Sequence, residues 1–352
     1  MYRSLTASVL AFGLAAPSAA LAGPVVHLRS TPATVHRGIL SPFFPPVLHI
    51  TSGQTVAIDT ISHGGLTDDP VKFFAQAGIP AADVLPDLVA VSRVPKTGGF
   101  GGHVLTGPIY MDGAEPGDML EIRILKVTPR VSYGVNNAAD GGAAPGMLKG
   151  GGPRIIKYDV ATKTVDFAPG IHFPMRPFMG IMAVAPTRQI SSRAPGLYGG
   201  NMDFEKLQAG ATLYLPVLVK GALFVTGDPH AGQGDGEVSG NAIEASNTPT
   251  LQFILHKGAG KTMTAPMAED AADFYIMGMD PDLNKALAVA VRNTVAFLHD
   301  RFGLTPEAAY SLCSTGIDFG IAEAVDENLV VYATIRKRMF AKSFPYWARP
   351  AH

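Results

Sequence analysis

The sequence predicts a mainly β protein whose last stretch, residues 263–352, turns to α+β. Three observations carry this reading. Short runs rich in β-branched residues recur as far as about Lys261, glycine and proline punctuate them, and beyond that point apolar residues fall at helical spacing. The 39 glycines and 28 prolines sit in short clusters such as Lys149-Gly150-Gly151-Gly152-Pro153, which mark turns between strands rather than disorder.

Taken from the N-terminus, the first element is not part of the fold. Arg3 precedes an apolar run from Val9 to Ala16, and Ala20-Leu21-Ala22 is a small-residue cleavage pattern. Residues 1–22 therefore read as a secretory signal peptide cut near Ala22, with an apolar run too short to span a bilayer. The expectation is an exported, periplasmic protein with no membrane insertion after cleavage.

The β-rich region spans residues 23–262. Gly53 precedes the β-branched run Thr55-Val56-Ala57-Ile58-Asp59-Thr60. Met119-Leu120-Glu121-Ile122-Arg123-Ile124 alternates apolar and charged residues, as a half-buried antiparallel strand would. Thr212 to Val219 is another strand, and its Pro216 argues for an edge or a bulge.

In the C-terminal part, Asp280 is expected to cap a helix opening at Pro281, with Leu283, Leu287, Val291, Leu298 and Phe302 recurring at roughly helical spacing and Gly303 as the stop. A second helix starts with Thr305 as cap, Pro306 as first residue and Glu307 in the first turn. Leu329 to Ile335 returns to strand.

Composition narrows the function. With 47% hydrophobic residues and a formal net charge of -1, the chain lacks the basic excess that nucleic-acid binding needs. The single cysteine, Cys313, lies in an apolar stretch and reads as a buried structural thiol. With no disulfide available within the chain, stability falls to burial, bound metal or subunit contacts.

The densest polar cluster is Gly227-Asp228-Pro229-His230-Ala231-Gly232-Gln233-Gly234-Asp235-Gly236-Glu237, directly after the apolar run Ala222 to Val225. Asp228 and His230 are two apart, so in extended backbone both side chains leave one face; Asp235 and Glu237 repeat the spacing. Carboxylate, imidazole and a second carboxylate suit a catalytic zinc-type site. An ordinary Asp/Gly turn or a calcium-stabilised loop would use much the same residues, and spacing alone does not decide between them.

Four segments in order resemble the signatures of the acetamidase/formamidase family. They are His103 to Tyr110 with Gly113 to Asp118, Pro177 to Ile181 leading to Val184-Ala185-Pro186, Gly199 to Asp203, and Asp228 to Glu237 extended through Glu244; Asp282-Leu283-Asn284 matches a helix opening. The resemblance implies jelly-roll-like or β-sandwich and barrel-like units with a smaller α+β unit, hydrolysis of short linear amides such as acetamide or formamide, a divalent metal and a homo-oligomer, a dimer or higher. Zinc is the expected ion, with calcium as the alternative.

Carried over by residue, the resemblance makes Asp228 and His230 metal ligands and Glu237 the general base or a further ligand; His103 is the next candidate ligand, with a histidine hydrogen-bonded in a turn as its other reading. Asn201 and Gln233 become substrate-binding candidates, and Asp203 a structural residue of the Gly199-Gly200 turn. Glu115 and Asp118 are read as turn chemistry. The stretch Asp59-Thr60-Ile61-Ser62-His63-Gly64-Gly65-Leu66 departs from the family's Asp-rich pattern, so Asp59 and His63 are held as further candidates, with Asp235. The competing class is a noncatalytic periplasmic binding protein on the same fold with a structural metal.

Overall fold

A computed structural model of the chain describes residues 24–96, 102–341 and 346. The expected signal peptide lies outside the described residues.

The chain folds mainly into β-sheet. The largest sheet has nine strands, in the order Val26–Leu28, Thr55–Ile58, Asn247–His256, Met119–Pro129, Thr212–Pro216, Met267–Glu269, Asp273–Asp280, Leu329–Arg336 and Asp318–Glu323. All neighbours run antiparallel except the parallel pair Val26–Leu28 and Thr55–Ile58. A second sheet orders Gly199–Asn201, Phe178–Ala183, Phe224–His230, Val104–Met111 and Val35–Arg37, with Leu48–Ile50 also paired to Val104–Met111. Leu120, Ile122, Leu213 and Phe253 from the first sheet share one apolar core with Met179, Met182 and Phe224 from the second, which makes a β-sandwich. Tyr133–Asn137, Pro153–Asp159, Thr164–Ala168 and Ile171–Pro174 form a smaller four-stranded sheet.

Two helices, Leu283–Phe302 and Pro306–Thr315, cover the C-terminal strands of the large sheet. Phe274, Ile276 and Ile335 of the strands meet Phe297, Leu298, Ala309 and Cys313 of the helices. Cys313 is accordingly a buried free thiol. The helix sits close to the sheet because Gly278 leaves room for it: a Cβ there would lie 2.1 Å from the Ala290 backbone nitrogen.

The structure departs from the sequence reading in two places, the cap of the first long helix and the environment of Glu121. Asp282, not Asp280, caps the first long helix by accepting from the Lys285 N–H, while Asp280 ends a strand and accepts from the Asp282 N–H. Pro216 sits at a local edge, as expected: it pairs with Met119 on one side, while pairing with Met267–Glu269 on the other side ends at Tyr214. Glu121 is buried rather than solvent-facing, held by His256 Nε2 at 2.6 Å and by the Arg123 guanidinium. The large sheet continues past residue 262, where Met267–Glu269 pairs directly with Thr212–Pro216.

The turn Glu115-Pro116-Gly117-Asp118 is tied down by the Asp118 carboxylate, which accepts from the backbone N–H of Glu115 and Gly258 and from Lys257. Burial works against the charged form, yet Lys257 and the two N–H groups hold this carboxyl below its usual range. A depressed folded-state pKa stabilises above the unfolded-state value and loses that contribution as pH falls through the folded-state one. Asp118→Asn should therefore lower the urea midpoint at pH 7, and the deficit should close as the pH is taken below the ordinary aspartate range. Gly278→Ala should destabilise by about 1–3 kcal/mol through overpacking against Ala290, read from the same unfolding curves.

Candidate active site

The site is built on two adjacent strands of the smaller sandwich sheet. Phe178–Ala183 pairs with Phe224–His230, with Phe178 opposite His230 and Ile181 opposite Gly227. Between those pairs Asp228 adopts a left-handed backbone, φ 54°, which redirects the strand locally. Asp228 Oδ2 then lies 3.3 Å from His230 Nε2, and the fully buried His230 ring is edge-on to Phe178. Gly180 opens the space in front of them. A Cβ at that position would lie 2.2 Å from Asp203 Oδ1, 2.7 Å from Asp228 Oδ2 and 2.9 Å from His230 Cε1.

Other segments converge on this point. His63 Nδ1 lies 3.0 Å from Asp228 Oδ1 and 3.5 Å from Glu244 Oε2. His103 is anchored by Ser192, with Nδ1 and Oγ 2.9 Å apart. Glu244 closes against His230, 3.3 Å between Oε2 and Nε2. From the C-terminal region, Asp326 accepts from the Asn201 side-chain amide and lies 3.5 Å from Arg193 Nε. Apart from His230 and Ser192, these residues, with Asp203 and Glu237, line one cavity of about 310 Å³.

Among the sequence candidates, Asp228, His103, Glu237, Asn201 and His63 line this cavity. His230 stands behind them, with atoms in reach of Asp203 and Asp228 on one side and of Glu237 and Glu244 on the other. Three candidates lie elsewhere. Asp59 is engaged by His27 at 3.0 Å and Thr248 at 2.7 Å. Gln233 donates its side-chain amide to the backbone oxygens of Asp203 and Ala322, so it fastens two segments of the site and does not line the cavity. Asp235 accepts from the Tyr332 hydroxyl at 2.6 Å and faces a neighbouring cavity. Asp203, read from sequence as a turn residue, is instead buried with Oδ1 directed into the cluster.

The sequence reading gave no site role to Glu244, Asp326, Arg193 or Gly180. Glu244 was visible as the end of the fourth signature. Asp326 carries no local signal at all. It reaches the cavity because Asp318–Glu323 runs beside Gly236, with the Gly236 N–H donating to Ala322 and the Ala324 N–H to Gly236.

The electrostatics follow from burying so many acids together. Asp203 and Glu237 are pushed well above the usual carboxylate range by burial and by neighbouring charges, Glu237 and Asp228 in the first case and Glu244 and Asp228 in the second. Burial works in the same sense on Asp228, yet His230 and His103 hold it well below that range. Burial would lower His63, but Glu244 and Asp228 lift it to about 9. At His103 burial prevails and lowers it to about 4. Burial raises Asp326 to about 6 against the pull of Arg193.

Several polar atoms here are buried with no hydrogen-bond partner among the described residues, including Asp203 Oδ1 and His230 Nδ1. Ligand atoms of His63, His103 and Asp228 fall within 4.8 Å of one another, as do those of Asp203, Glu237 and Asp326. The donor set therefore fits a divalent cation. The imidazole-containing group suits zinc and the all-carboxylate group suits a harder ion such as calcium.

A β-sandwich that gathers acids and imidazoles with divergent pKa values around one cavity has the make-up of a hydrolase centre. The sequence profile of the Acetamidase/Formamidase family matches residues 100–196 and 192–342, and the chain belongs to this family. It is 25% identical over 334 residues to the acetamidase of Mycolicibacterium smegmatis, covering 71% of this chain and 82% of that one. Its fold is similar to the crystal structure of an acetamidase from Yersinia enterocolitica, at TM-score 0.77 and 27% identity over 92% of this chain and 95% of that one. An acetamidase from Bacillus halodurans superposes at TM-score 0.75 and 26% identity, covering 91% of this chain and all of that one (100%).

Gly180→Ala tests the packing of the site. Its methyl would displace Asp203 and Asp228, so activity should fall roughly 10²-fold while the circular dichroism spectrum and Tm stay near those of the parent.

Proposed function

We propose that the protein is an exported, metal-assisted hydrolase of short linear amides, with acetamide and formamide as its simplest substrates. The family identifies an amidohydrolase acting on linear carbon–nitrogen bonds other than peptide bonds. Water adds to the carbonyl carbon, the C–N bond breaks, and ammonia and a carboxylate leave.

The observation that carries the metal-assisted reading is the convergence of Glu237 with His63, His103 and Asp228 on one cavity. His63, His103 and Asp228 would hold the cation, which when bound supplies a Lewis acid toward the carbonyl and the attacking water. Glu237 takes the proton of that water and passes it to the departing nitrogen, the step that otherwise limits amide cleavage. Its buried, acid-rich surroundings raise its proton affinity, and a cation held nearby would offset that rise and leave it ionised to act as the base. Asn201, which lines the same cavity and is braced by Asp326, orients the substrate.

The test is ammonia release from acetamide and formamide, with metal content measured on the same sample. Chelation should abolish release and zinc should restore it. Glu237→Gln should lower kcat by at least about 10²-fold with Tm retained. Full activity in the metal-free protein, or in Glu237→Gln, would overturn the mechanism.

A further inference from the structure

The catalytic cavity has a side arm. A space of about 260 Å³ shares His63, Asn241 and Glu244 with it and extends away between the segment after His63 and the four-stranded sheet. Beyond those three residues its wall is nearly free of polar side chains: Gly64, Gly65, Phe73, Val135 and Pro153, with exposed Asn137 at the outer end. Gly64 lets the wall approach the site this closely, since a Cβ there would lie 2.7 Å from the Glu244 Cβ and 3.0 Å from the Val135 Cβ.

Asn241 stands where the cavity and the arm meet. Its backbone oxygen is taken by Asn136 and Ser239, but among the described residues its side-chain carboxamide has no hydrogen-bond partner. A carboxamide offers one acceptor and two donors, which is the complement of another amide.

We propose that the arm receives the acyl group of the substrate, that the preferred substrates are primary amides with apolar acyl groups larger than methyl, and that Asn241 holds the amide at the junction. This rests on the amide-hydrolase reading and names its substrate class. A primary amide has one variable end, because the leaving group is ammonia and needs no room. The reacting carbonyl belongs among the acids and imidazoles, so the acyl chain must point elsewhere, and the arm is an apolar space that opens off His63 and Glu244. Burying alkyl or phenyl surface against Phe73, Val135 and Pro153 is favourable, whereas a methyl group leaves most of the arm to water.

The experiment measures kcat/KM by ammonia release on the full-length, metal-containing protein for acetamide, propionamide, isovaleramide and phenylacetamide. The expected result is a rise of about fourfold per added buried methylene, with phenylacetamide above acetamide. Asn137→Trp, which fills the outer end of the arm from an exposed position, should erase that rise, with its circular dichroism spectrum and Tm near those of the parent as the folding control. Asn241→Ala should raise KM for all four amides by about three- to tenfold, as loss of a neutral hydrogen bond does, with kcat nearly unchanged. A kcat/KM that is flat or falling from acetamide onward, or a phenylacetamide rate untouched by Asn137→Trp, overturns the assignment while the hydrolase reading stands. Absence of ammonia from every amide, acetamide included, overturns both.

Discussion

Everything in this molecule is organised around one electrostatic difficulty: carboxylates and imidazoles are packed into the strands of a sandwich, where side chains are normally apolar. Ionised acids so close together and so poorly solvated cannot all keep their charge. The result is a division among them. Asp228, flanked by His63 and His230, stays charged, while Asp203 and Glu237 are driven toward the protonated form. A cation among them would relieve the same repulsion.

The backbone carries part of the burden. Six non-glycine residues among those described have positive φ, and Asp203, Asp228 and Glu237 are three of them. Such conformations are costly for ordinary residues and persist only where surrounding structure enforces them. Here the enforcement comes from far away in sequence. Gln233 hooks the Asp203 and Ala322 backbones together, Gly236 pairs with the strand carrying Ala322, and Glu323 accepts from the Val325 and Asp326 N–H groups to set the turn that presents Asp326. The C-terminal region is thus part of the scaffold of the site. Its helices press on the outer face of the same strands whose loops reach the cavity.

What could be read from sequence was whatever is local. The caps at Thr305 and Gly303, the strand from Leu329 and the cluster Asp228 to Glu237 each announce themselves within a few residues. Where two residues competed for one role, local pattern failed. Asp280 and Asp282 both flank Pro281, and the strand ending at Asp280 decides that only the second can cap. Gln233 and Asp235 sit in the right loop, but their side chains are claimed by backbone oxygens and by Tyr332. Asp326 was illegible for the opposite reason. Nothing near it signals chemistry, and its relevance appears only once the order of strands in the large sheet is known.

The two histidines at the cavity, His63 and His103, show why residue type alone could not assign roles. Both are imidazoles beside Asp228, yet one is lifted to about 9 and the other lowered to about 4. Burial lowers both. At His63 the charges of Glu244 and Asp228 outweigh it, whereas at His103 the pull of Asp228 is opposed by His63, His230 and Arg193 and burial prevails. His103 is therefore already in the neutral form that a metal ligand requires, while His63 carries a proton that balances the acids around it. A cation shared by the two would take over that balancing role, and its uptake would then release the His63 proton. In that way one set of residues could serve both as a repulsion-limited acid cluster and as a ligand set, the proton on His63 and the cation being alternative answers to one charge imbalance.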